Sequence, residues 1–193
     1  MIALIAQFIS AIASPLVIAI PFCYVIILKT TGSSTLALTW SIVSLVFVSI
    51  VGAFVYYGVK KGFFTNLDVS DRRQRPKLFL FTGAVCFLYL LIVIFFNGPK
   101  IIFVGLATLF FGIILAEIIN TKVKASMHLA IFVGFATAMG ILYGGPSWIL
   151  FLFTPIVAWS RLVLKRHTPR EVVVGTIFGI AVVLIAYGIV IYL

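Results

Sequence analysis

Acidic side chains are nearly missing from this chain: Asp68, Asp71, Glu117 and Glu171 are the whole set, against 14 Lys and Arg, two His and two Cys in 193 residues. Only 9% of residues are charged, which excludes a soluble domain with one core and a polar shell. Cys23 and Cys86 both fall inside apolar runs, where thiols behave as small hydrophobes, so neither a disulfide nor a metal site is expected of them. No Lys or Arg precedes the first apolar run, and that run exceeds an ordinary signal-peptide core, so it is expected to stay as a span. The apolar runs are nearly bare of polar positions, which argues against an anion channel.

What the chain has instead is length without charge. Mean hydropathy is +1.31, and uncharged stretches cover residues 1–28, 30–59, 78–99, 101–116, 125–160 and 172–193. A helix needs about 20 apolar residues to cross the hydrocarbon, so at least six spans fit. Gly144-Gly145-Pro146 divides the longest stretch into two, which makes seven. Asn97-Gly98-Pro99-Lys100 turns the third span into the fourth, whose arm is the shorter. The expected fold is therefore all-α: a polytopic integral membrane helical bundle of six to seven transmembrane helices, a single membrane domain over residues 1–193 with its motif-bearing core at about 68–193.

With spans drawn this way, three loops emerge on one face. They carry Lys60, Lys61, Arg72, Arg73, Arg75, Lys77, Lys122, Lys124, Arg161, Lys165, Arg166 and Arg170, leaving only Lys29 and Lys100 opposite. The positive-inside rule then places the rich face and the N-terminus in the cytoplasm and the C-terminus outside. The net charge of +10 sits in short loops and not in a soluble basic domain, so the expected partners are membrane lipids with anionic headgroups and no nucleic acid.

Chemistry concentrates where those loops enter helices. In Arg75-Pro76 the proline suits a first helical turn. Ser126 is an expected N-cap for a span beginning near His128, beside Lys124. Thr168-Pro169-Arg170-Glu171 reads as N-cap, N1, N2 and N3 of a capping box. Three helix N-termini with adjacent cations suit a multiply charged anion such as phosphate. Arg72, Arg75 and Arg161 are candidate bidentate donors, and two imidazoles supply a nucleophile and an acid.

Read in order, Arg75-Pro76, Ser126-Met127-His128, and Ser160-Arg161 followed at fixed spacing by His167 and Glu171 resemble the three motifs of the type 2 phosphatidic acid phosphatase superfamily. These are membrane lipid phosphatases related to the vanadium haloperoxidases. The resemblance implies a phosphohistidine on His167, His128 as acid for the leaving group, and Glu171 orienting His167. It also implies Arg75, Ser126 and Arg161 as phosphate ligands, with no metal or other cofactor. The substrate would be a phosphorylated lipid: phosphatidic acid, phosphatidylglycerol phosphate, or a polyprenyl phosphate or diphosphate. Asp68 stands where that family has a first-motif Lys, for which Arg72 or Lys124 is a candidate substitute. Ala125 and Met127 replace its Pro and Gly, and Glu171 its Asp.

Plainer roles compete with these. Glu171 as a capping-box residue is explained without catalysis, on the view that one oxygen cannot fill both roles. Arg72, Arg73, Lys77, Lys165, Arg166 and Arg170 suit headgroup anchoring, and Glu117 is expected to pair with Lys122 or Lys124. Asp71 is expected to cap its loop or neutralise an arginine. Gly175 and Gly179, with Ala130, Gly134 and Ala138, form small-residue rows for close helix packing. Two rival functions use the same cations: a non-catalytic carrier of anionic lipids, and a lipid phosphotransferase with an acceptor other than water.

Overall fold

The computed structural model describes residues 1–192, with side chains through residue 189, and within these the chain is helical. Its helices are α1 (Ile2–Ile12), α2 (Pro15–Thr31), α3 (Ser34–Lys60), α4 (Arg75–Phe95), α5 (Lys100–Asn120), α6 (Met127–Tyr143), α7 (Thr154–Val163) and α8 (Pro169–Tyr192). Short 3-10 segments cover Arg72–Gln74 and Gly145–Phe153. Five helical stretches are long and apolar enough to cross a membrane, and a sixth if α1 and α2 count as one span bent by 40°. Between 17% and 33% of each spanning window is buried, so most of each helix surface is apolar and outward, as lipid requires.

Two departures from the sequence expectation have local causes. The first span breaks at Ser14-Pro15, because proline has no N–H to give and its ring crowds the preceding turn. The segment after Gly144 opens as a 3-10 run before α7, so the long apolar stretch becomes three pieces, and α6 has only 17 residues.

The chain divides into two compact units, Met1–Phe22 with Lys122–Leu193, and Cys23–Thr121. In the second unit, Ile27, Trp40, Tyr89, Val93 and Leu106 form the core of the packing of α3, α4 and α5. Ser44 Oγ lies 2.7 Å from Tyr89 OH and also donates to Trp40 O, a polar tie between α3 and α4 inside apolar surroundings. The α4–α5 hairpin turns at Asn97, whose φ of 50° ends α4 while Gly98 N–H reaches back to Val93 O at 2.8 Å. Ahead of α4, Asp71 caps the 3-10 turn by accepting from Arg73 N–H at 2.9 Å.

In the first unit, Leu129, Val133, Val157 and Val172 join Ala13 and Ile18 in a core built by α6, α7, α8 and the N-terminal helices. The contact between α6 and α8 is backbone-close. A Cβ on Gly175 would stand 2.5 Å from Ser126 O, one on Gly179 would collide with Ala130 O, and one on Gly134 would touch Gly179 O at 3.5 Å. The small-residue rows read from the sequence face each other, which lets two helices approach where lipid supplies no hydrophobic drive between them.

Candidate active site

Helix α8 starts as its sequence specifies. Thr168 Oγ1 accepts from Glu171 N–H at 3.4 Å and Glu171 Oε2 accepts from Thr168 N–H at 3.2 Å, closing a capping box. His167 precedes the cap, and its Nδ1 lies 2.8 Å from that same Oε2. The expectation that one oxygen could not serve both roles is therefore wrong. A carboxylate oxygen carries two lone pairs, and here it faces both donors. With Nδ1 as the donor, Nε2 carries the lone pair of the neutral ring.

The approach to His167 is set by how α7 ends. Lys165, at φ 52°, takes the left-handed position; its N–H bonds Leu162 O at 3.0 Å, and Arg166 N–H bonds Arg161 O at 3.1 Å. These two bonds make a Schellman motif, in which a glycine is usual. The reversal brings the chain from Arg161 to His167 within six residues. It also leaves the main-chain oxygen of Arg166 facing Lys124, whose Nζ donates to it at 2.9 Å. Lys124 Nζ is 3.5 Å from Glu171 Oε2 as well, so this lysine braces the carboxylate.

The second cluster is pinned to the third through the backbone. Ser126 N–H donates to Glu171 O at 3.1 Å, which seats the start of α6 on the first turn of α8. Two positive helix ends thereby meet. Ser126 holds the N-cap position, yet its side chain makes no capping bond. Its Oγ is fully buried, with no hydrogen-bond partner among the described residues. His128 stands in the first turn of α6 and is buried.

Arg161 is 1% exposed and its Nη1 donates to Ser10 Oγ, on α1. An open cavity of about 510 Å³ lies over the third motif, with His167, Glu171, Lys124, Lys165 and Arg166 on its wall. Lys165 and Arg166 were read from the sequence as headgroup anchors. Their place inside the spacing between Arg161 and His167 was the available sign that they reach the site. Three cations against one carboxylate give the cavity a positive field suited to an anion.

The second unit holds the two remaining candidates. Arg75 is 4% exposed, and its Nε donates to Val69 O at 3.3 Å, inside the turn that leads into α4. Arg72 is exposed, and its main-chain oxygen accepts from Asn120 Nδ2 at 3.2 Å. Of the lysines expected to pair with Glu117, Lys124 serves Glu171, and Glu117 Oε2 is buried with no hydrogen-bond partner among the described residues.

Residues 124–128 and 160–171 thus converge in one unit, with a carboxylate-held imidazole facing a cationic cavity. No family model matches the chain, and no curated protein or solved structure matches it.

Proposed function

We propose that this chain is a membrane lipid phosphatase that works through a phosphohistidine. The observation that carries the reading is the 2.8 Å bond between His167 Nδ1 and Glu171 Oε2, made by an imidazole only 2% exposed at the wall of a cationic cavity. A nucleophilic imidazole needs one nitrogen held and the other turned to the substrate, and a carboxylate that steadies the charge it acquires.

In this reading, His167 Nε2 attacks phosphorus, forming an N–P bond as the P–O bond to the lipid breaks. His128 gives a proton to the departing oxygen. Water then attacks the phosphohistidine, returning a proton to His128 and releasing inorganic phosphate. The helix ends of α6 and α8, Lys165, and Arg161 stabilise charge on the equatorial oxygens. Ser126 Oγ, buried and with its acceptor and donor capacity unused among the described residues, is suited to bind one of them. The site as argued draws on the first unit alone.

A cationic cavity at the start of a helix long and apolar enough to span a membrane supports a lipid phosphomonoester or diphosphate as the substrate class, with its phosphate as the recognised part. We place the cation-rich loops on the cytoplasmic side of the cell membrane. Labelling of Lys61→Cys but not Asn97→Cys by an impermeant thiol reagent added outside intact cells would reverse that assignment.

The functional test is phosphate release by purified protein in detergent with EDTA, over a panel of lipid monophosphates and diphosphates, for wild type and His167→Ala. Release by wild type alone supports the reading. Binding of phosphate without release from any lipid would replace it with the non-catalytic carrier.

A further inference from the structure

Among the described residues Arg161 is the largest fully buried side chain, and a buried charge is costly unless hydrogen bonds satisfy it. One of its bonds reaches far along the chain, from Nη1 to Ser10 Oγ on α1, and Ser10 is itself buried at 6% exposure. The inward side of α1 and the residue after it is otherwise made of small apolar groups, Ala6 and Ala13, both buried, while Ile2, Leu4, Ile5 and Phe8 are exposed. Ser10 is the polar residue among them. The hydroxyl is the surplus, and its partner is the guanidinium.

The same arginine anchors the site through its backbone, since Arg161 O accepts from Arg166 N–H in the turn that carries His167. Fixing one N–H of a planar guanidinium fixes the plane of its whole fork.

We infer that Ser10 is a positioning residue: it sets the orientation in which Arg161 meets the phosphate group of the substrate, so that α1 is part of the site as well as a lipid-facing helix. This rests on the function proposed above. Ser10 touches no reacting atom; it acts through Arg161, and its loss lowers phosphate affinity, which the loss of a merely structural hydroxyl would leave unchanged in the folded protein.

The test compares wild type, Ser10→Ala and Ser10→Thr in three readouts on detergent-purified protein: calorimetric affinity for inorganic phosphate, kcat against KM for the lipid released fastest by wild type, and thermal unfolding. Ser10→Ala is expected to weaken phosphate binding and raise KM by about tenfold, the contribution of a hydrogen bond to a charged group, and also to lower the unfolding temperature, because a buried guanidinium N–H loses its partner. Ser10→Thr, which keeps the hydroxyl, is expected to restore wild-type affinity. If Ser10→Ala proves unstable, Ser10→Thr and Ser10→Val, equal in shape and different only in the hydroxyl, make the same comparison. Unchanged phosphate affinity in the hydroxyl-free variant, beside a wild type that binds and releases phosphate, overturns the inference alone. A wild type that neither binds nor releases phosphate overturns the proposed function, and this inference with it.

Discussion

Glu171 holds two jobs on one oxygen, and substitution can separate them. Removing the side chain in Glu171→Ala deletes the cap of α8, about 1 kcal/mol. It also strands the Nδ1–H of an imidazole only 2% exposed, a further cost of about 1–3 kcal/mol. The expected loss of stability is therefore about 2–4 kcal/mol. Glu171→Gln keeps an oxygen that accepts from both Thr168 N–H and His167 Nδ1, so its stability should fall by less than about 1 kcal/mol. What Gln lacks is the charge that, in the proposed mechanism, steadies His167 as it becomes cationic, and turnover should then drop at least about tenfold, since positioned acid–base groups contribute about a hundredfold or more. Thermal unfolding and kcat measured in the same detergent separate the two effects. A Glu171→Gln variant that turns over at the wild-type rate would refute the orienting role and leave the residue a cap.

Three other variants probe the parts that position the site. Gly175→Ala puts a Cβ 2.5 Å from Ser126 O, a backbone atom that cannot swing aside, so it should destabilise the fold by about 1–3 kcal/mol and lower phosphate release, while Gly105→Ala, which meets open space, should do neither. Lys165→Gly relieves a left-handed residue and should raise stability by about 1 kcal/mol, while a weaker affinity for phosphate should follow from losing a cation on the cavity wall. In the second unit, a double-mutant cycle of Ser44→Ala and Tyr89→Phe, followed by unfolding in detergent, should return a coupling of about 0.6 kcal/mol, the size usual for hydrogen bonds between membrane helices.

Local signals in the sequence were faithful to the fold. The Gly144-Gly145-Pro146 and Asn97–Lys100 turns, the capping box before α8 and the facing small residues of α6 and α8 all follow from short-range chemistry, and all are present. The break at Ser14-Pro15 had its sign in Pro15, but Pro21 lies inside α2 without ending it, so a proline in an apolar run does not by itself separate a bend from a straight crossing. The Ser10–Arg161 bond spans 151 positions, a separation at which no spacing rule operates. The double duty of Glu171 was missed by counting roles per oxygen instead of lone pairs. Lys124 was counted as a phosphate ligand, and its bonds to Arg166 O and Glu171 show that a lysine beside a site also serves to hold the carboxylate and the loop.

The central claim concerns the bond formed at His167. Wild type and His167→Ala, mixed with a lipid carrying labelled phosphate and quenched in alkali within milliseconds, can be compared for label on the protein, because a phosphohistidine survives alkali and is lost in acid. The account predicts alkali-stable, acid-labile label that maps to His167, turns over into inorganic phosphate, and is absent from His167→Ala. Phosphate release that proceeds with no labelled protein, and at the same rate in His167→Ala, would contradict it.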